Sequence, residues 1–257
     1  MALRLSSGLV NYITEHGGLK QALQNGKLLI YSGAQPTTAD DAPTGTLLCT
    51  ITDASGAHTA EVLATGSVTL DTGASGSVDS ITVDSVELLD AAVNFNTSLS
   101  QTATDVAAAI NEAQTDPGYT ASAAGAVITI TATRGAGADA NGLVVTSGAT
   151  TITTTDANMA SGVNPANGLK YGVAAGGVLS KLSGQTWTGV AGATGTAGWF
   201  RLVGSVVDSG AADSNETEIR LDGAIATSGA EINMSSTSIT SASTQTLTAF
   251  SITMPKT

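Results

Sequence analysis

The sequence predicts a mainly β protein: a β-sandwich or barrel outer domain with short N-terminal helices, interrupted by a small inserted α+β module. Three features lead there. Short runs of alternating apolar and polar residues recur along the chain, divided by Gly, Ser, Asn and Asp turns, which is how sandwiches and barrels read. Helical spacing is confined to the N-terminal segment and to one stretch at 102–114. Charge density changes sharply: between 66 and 161 ten acidic residues face a single base, Arg134, for a net −9, while the rest of the chain carries eleven acids and eight bases, net −3. The expected domains are therefore 1–65 plus 162–257, a discontinuous scaffold that docks, and 66–161, an inserted acidic module.

Within 3–23, Leu5, Leu9, Tyr12 and Ile13 share a helical face, Gly17 and Gly18 break it, and Leu19 and Leu23 resume it, so two short helices are expected. KLLIYS at 27–32 is an apolar run rich in β-formers. GAQPTTADDAPTG after it is turn chemistry, and alternation returns at 46–52. In the module, 67–71, 80–88 and 93–97 read as strands. Ala103, Val106, Ala107 and Ile110 then form the apolar stripe of a helix over 102–114, capped by Ser100 or Thr102 and stopped by Asp116-Pro117-Gly118. A hairpin is expected from 119–123 to 126–133 through Ala124-Gly125, and 143–146 and 150–154 add two strands. Beyond the module, 176–180, 185–190, 198–207, 218–225, 232–234 and 244–254 read as short strands. Seven of the nine aromatic residues, Tyr12, Tyr31, Tyr171, Trp187, Trp199, Phe200 and Phe250, lie outside 66–161, which assigns the larger core to the outer domain.

Only 12% of the residues are charged, and the net charge is −12, which repels a phosphate backbone; no nucleic-acid partner is expected. Met1 to Leu5 is followed by no apolar run, and no stretch of about 18 apolar residues occurs, so neither a leader nor a membrane span is expected. Cys49 stands alone and cannot form an intramolecular disulfide, and His16 and His58 lack zinc-site spacing with it.

Several clusters invite a chemical reading. Gly135-Ala-Gly137-Ala-Asp-Ala140 has the form G-x-G-x-x-A, but a dinucleotide site needs a helix next, whereas Asn141-Gly142 and a strand follow; a loose turn is expected. Gly192, Gly195 and Gly198 lack the Lys-Ser/Thr ending of a phosphate loop and read as a flexible connection. Asp40 with Asp41, and Asp208, Asp213, Glu216 and Glu218, are oxygen-rich enough for calcium but lack the regular Asp-x-Asp-x-Asp-Gly frame, so solvated loops are expected. Neither His16 nor His58 lies near a nucleophile elbow, and the few aromatics argue against sugar platforms for a glycosidase. Trp187, Trp199 and Phe200 would make an adhesion patch if exposed, but strand alternation sends at least one of each group inward. The apolar stripe of the N-terminal helix must be covered by the chain's own sheet or by a neighbouring subunit. The expectation is no catalytic residue, no cofactor and no metal.

Four stretches, ALRLSSGLVNYI, IYSGAQPTTADDAPTGTLLCTIT, GTAGWFRL and DGAIATSGAEINMSSTSITSASTQTLTAFSITMP, resemble a family of small structural proteins of tailed bacteriophages. Within the module, AAAINEAQTDPGYTASAAGAVITITATRGAGADANGLVVT is similar to a unit that recurs in phage virion proteins, including tail sheath and tail fibre components. The resemblance implies a non-enzymatic virion protein whose partners are other virion proteins and further copies of itself. It leaves open capsid decoration, which is favoured here, or a tail tube, completion, baseplate or fibre role. A host-glycan-binding module is the alternative from another class.

Overall fold

The computed structural model describes residues 3–113 and 118–254. Two compact units divide the chain: a scaffold unit, Met1–Ala60 with Pro165–Thr257, and an inserted unit, Glu61–Asn164. These limits lie a few residues outward of 66 and 161. With them the inserted unit carries eleven acids against Arg134, net −10, and the scaffold unit ten acids against eight bases, net −2. Both units are built mainly of antiparallel strands, as expected from the alternation.

The scaffold unit opens with β1 (Arg4–Leu5), α1 (Ser7–Glu15), α2 (Leu19–Leu23), β2 (Lys27–Ser32) and β3 (Leu47–Asp53). Ser6 caps α1, its Oγ accepting the Leu9 N–H at 3.1 Å. The inserted unit follows with β4 (Thr65–Thr72), β5 (Ser77–Val83), β6 (Val86–Glu87), β7 (Val93–Asn94), α3 (Leu99–Asn111), β8 (Thr120–Ala124), β9 (Val127–Thr131), β10 (Val145–Thr150) and β11 (Thr153–Ala160). The chain returns to the scaffold as β12 (Val178–Ser180), β13 (Trp187–Val190), β14 (Gly195–Val203), β15 (Arg220–Ala226), β16 (Ile232–Asn233), β17 (Ser238–Ile239), β18 (Thr244–Leu247) and β19 (Ser251–Thr253).

The main scaffold sheet runs β1-β15-β14-β2-β3-β13-β18, with β16 added to β15 and β17 to β14. Register places Leu28, Ile30, Phe200, Leu202 and Leu221 on one face. Against it pack Leu9, Ala22 and Leu23 from the helices and Leu179, Phe250 and Ile252 from the β12–β19 layer. Each leucine, isoleucine or phenylalanine removed from water here contributes about 1.5–3 kcal/mol. Leu5, Tyr12, Ile13 and Leu19 also rest on this core, so the scaffold's own sheet covers the stripe of α1.

The inserted unit has two small sheets, β10-β5-β6 with β7, and β11-β4-β9-β8. Ala103, Val106, Ala107 and Ile110 of α3 are buried with Val68, Leu70, Ile128 and Ile130 in an aliphatic core. The helix begins three residues earlier than expected because Ser98, rather than Ser100 or Thr102, supplies the cap, accepting the Gln101 N–H. It also ends earlier than expected, at Asn111, where the Glu112 N–H donates to the Ala108 carbonyl and closes the last turn; Gln114 and the expected stop at Asp116-Pro117 lie outside the described residues. The strand expected over 80–88 is two strands, since Asp84 and Ser85 both take left-handed φ (48° and 72°) and turn the chain back. The strand expected over 244–254 also splits: β18 pairs with β13, then Phe250 enters the core and β19 joins β12.

Candidate functional site

The other face of the scaffold sheet holds the polar centre of that unit. Arg201 on β14 and Asp222 on β15 are direct cross-strand partners, and both are almost wholly buried. The Arg201 Nε and one terminal nitrogen donate to the two Asp222 oxygens at 2.8 Å each, a bidentate fork. Two residues before Asp222, Arg220 makes the same kind of fork with Asp208, at 2.7 and 2.6 Å. The remaining guanidinium donors reach the 33–46 loop: Arg201 donates to the Asp41 carbonyl at 3.0 Å, Arg220 to that of Asp40 at 3.3 Å, and Arg4 to that of Pro36. Trp199 lies beside this group, its ring 5.5 Å from the Arg201 guanidinium carbon and stacked on Tyr31 at 4.5 Å.

Both acidic clusters of the sequence meet here, as tie points for the loops. Asp40 accepts from the Ser7 N–H and hydroxyl at 2.8 and 2.9 Å, fixing the start of α1, and its carbonyl takes the Asp213 N–H at 2.7 Å. Asp41 accepts from the Thr38 N–H, and Asp213 from the Glu218 N–H, each near 2.8 Å. The expected solvated loop is corrected for Asp208, which the Arg220 fork draws in; Asp40, Asp213 and Glu218 are half-buried and tied to backbone, while Asp41 keeps a solvent-facing carboxylate. Long loops laid over a sheet bring unsatisfied backbone groups with them, and these carboxylates and guanidinium groups supply the partners. Glu216 stays exposed, with φ 57°. Among the described residues no three His, Cys, Asp or Glu side chains are grouped to hold a metal ion.

Electrostatics follow the geometry. Burial raises the Asp208 carboxyl, but the Arg220 fork, the Gly210 N–H and the charges of Arg220 and Arg201 outweigh it and hold its pKa below the usual range. For Asp222 burial wins, and its pKa is raised in spite of Arg201. Glu218 is raised too, by burial and then by Asp208.

In the inserted unit the glycine-rich turn does cradle an anion, and that anion belongs to the chain. The Gly135 and Gly137 N–H groups donate to Glu61 Oε1 at 2.7 and 3.0 Å, and Glu61 is buried. The Ala138 N–H donates to Asn164 Oδ1 at 2.7 Å, and a Cβ on Gly137, at φ 46°, would lie 2.2 Å from that oxygen. A single 3-10 turn, Gly137–Ala140, follows instead of a helix. The turn is thus stitched down, not loose, and its amides are taken by Glu61 where a phosphate would need them.

Gly195 and Gly198 are strand residues of β14, and only Gly192 lies in a connection. Gly198 sits at the register shift against β2, where a Cβ would meet the Gly33 carbonyl oxygen at 2.0 Å; the close approach lets the 33–46 loop leave the sheet. Trp187, Trp199 and Phe200 are all fully buried and offer no aromatic surface. His58 Nε2 pairs with the Asn25 carbonyl at 2.9 Å, and burial holds its pKa below the usual range. His16 lies at the end of α1, against Tyr12 and 3.8 Å from Glu15. Burial pushes the Cys49 thiol up to about 11, which leaves it without thiolate at neutral pH. No helix of the described residues is long and apolar enough to cross a membrane.

Sequence reasoning missed Arg201, Arg220 and Asp222. The signal was present: each interrupts an apolar strand, in GWFRLV and in IRLDGA, and a charge in such a run must be paired. Comparison with family models, with curated proteins and with solved structures finds no match.

Proposed function

We propose that this chain is a non-enzymatic structural protein of a tailed-bacteriophage particle. It docks through its scaffold unit in several symmetric copies, most concretely as a decoration of the capsid, and leaves the acidic inserted unit facing solvent. The observation that carries this is the use of the reactive groups. Asp40, Asp208, Asp213, Arg201, Arg220 and Asp222 bind one another and the loops around them, and Glu61 fills the glycine turn. That pattern suits a protein whose product is a fixed shape. The four stretches that resemble phage structural proteins supply the setting, and a net −10 on the inserted unit would keep particles apart and away from anionic surfaces.

The test is to fuse a density or gold label to the chain and image purified particles. Label on the capsid shell in a regular array is expected. Label on the tail would move the protein to a tube, completion, baseplate or fibre role, and particles free of it would end the virion reading.

One observation favours a second reading, binding of a host glycan. The outward face of β8, β9 and β4 aligns Thr120, Thr131 and Thr65 in one row and Ser122, Thr129 and Ser67 in the next. An uncharged hydroxyl lattice can exchange hydrogen bonds with sugar hydroxyls. Binding of the purified protein on a glycan array, abolished by Thr129→Lys, would support it.

A further inference from the structure

In a chain of net −12, the charges are distributed very unevenly along the scaffold. No Asp, Glu, Lys, Arg or His occurs in 42–52, 182–200 or 232–255. These three runs supply β3, β13, the first half of β14 and all of β16 to β19. β3, β13 and β18 are adjacent at one end of the main sheet, so its end is charge-free over three neighbouring strands apart from Asp53, the last residue of β3.

That end is also open. β18 closes the strand order, and Thr244 and Thr246 are exposed. In an antiparallel ladder every second residue turns its N–H and C=O away from the partner strand, so β18 offers a row of unpaired main-chain groups. Edge strands are ordinarily guarded by lysine, proline or a bulge; β18 reads TQTL and has none of these. Next to it on the same face, Val190 stands opposite Thr244 and is 56% exposed, and Leu47 on β3 is 42% exposed.

We infer that this edge and face are a homotypic contact, at which β18 of one copy pairs antiparallel with β18 of a second copy about a two-fold axis. Charge selects the occupant. Two chains of −12 repel overall, and screening at physiological salt acts over about 8 Å, so close contact between copies is favoured at a surface without charges of its own. An identical strand is self-complementary in the antiparallel sense, with Thr and Gln side chains opposing Thr and Gln. The contact would continue the main sheet across both copies, with Val190 and Leu47 flanking the junction. It gives the multi-copy docking proposed above a contact between copies, and it is tested on the free protein, so its failure is read separately from the particle result.

The experiment is sedimentation velocity on the full chain over a concentration series, with Thr246→Lys, Val190→Lys and, as the control edge, Ser122→Lys on β8. The wild type should form a concentration-dependent dimer. Thr246→Lys and Val190→Lys should each raise the dissociation constant at least tenfold, while Ser122→Lys leaves it unchanged. Hydrogen exchange should slow at 244–247 as the dimer fills. Should one lysine variant fail to fold, by circular dichroism, the other decides. A wild type that stays monomeric throughout, a dimer indifferent to both scaffold lysines, or equal loss with Ser122→Lys would overturn the inference. A monomer whose Thr246→Lys form alone is excluded from particles would overturn it too, and would assign the edge to a different virion protein.

Discussion

The two units solve the same problem, an antiparallel β fold with long connections, by different chemistry. The scaffold unit buries six large aromatics, Tyr31, Tyr171, Trp187, Trp199, Phe200 and Phe250, and places two arginine–carboxylate forks under its loops. The inserted unit has an aliphatic core of Val, Ile, Leu and Ala, and its one base is Arg134. Its loops are instead held by short polar side chains and one carboxylate: Glu61 on Gly135 and Gly137, Asn164 on Ala138, Asn141 on Gly162. Where a loop must lie across a sheet face, long guanidinium groups reach up to it; where turns fold back beside their own strands, Asn and Glu suffice. Buried charge therefore concentrates in the unit with longer loops.

The contrast can be broken first at its strongest point. Arg201→Ala leaves Asp222 as an unpaired buried carboxylate and should cost about 3–5 kcal/mol. Both tryptophans belong to the scaffold unit, so their fluorescence during urea unfolding reports that unit alone. The Arg201→Met/Asp222→Leu pair, which removes both charges, should recover most of the loss. If single and double replacements were equally damaging, the network would matter as packing and not as charge.

The corresponding change in the inserted unit is smaller. Glu61→Ala strands the buried Gly137 N–H and frees that of Gly135, and should cost about 1–3 kcal/mol, seen as faster hydrogen exchange across the inserted unit with tryptophan fluorescence unmoved. Ser98→Ala removes the cap of α3 and should cost about 1 kcal/mol, measured as a lower melting temperature by circular dichroism. The smallest expected effect is on pH dependence. The folded pKa of His58 lies below its unfolded 6.5, so the unfolded chain binds more protons between the two values. The His58 contribution to stability is complete above 6.5 and declines as pH falls towards the folded value. His58→Gln should flatten that part of the stability profile, and an unchanged slope would exclude His58 as its source.

Local order was legible in the sequence to the extent that it depends on neighbours along the chain. KLLIYS is β2 to the residue, and the Ala103, Val106, Ala107 and Ile110 stripe faces the core as its spacing requires. Breaks without glycine were not legible: Asp84-Ser85 turns through two left-handed residues with no Gly to mark it. The polar centre was legible only as loose acids, because joining residues 40–41, 201, 208 and 220–222 requires the register of β14 on β15 and the path of two loops. Pairing between distant segments is chosen by the whole sheet, and no window of sequence contains it.

Thr59 and Ala166 exchange both backbone hydrogen bonds at 3.1 Å within the scaffold unit, so the chain leaves and re-enters that unit at adjacent points. A gap this narrow behaves as a socket. A turn of a few residues is long enough to join Ala60 to Pro165, so the flanks do not need the length of the inserted unit in order to meet. The same junction offers a ready position for grafting a foreign domain.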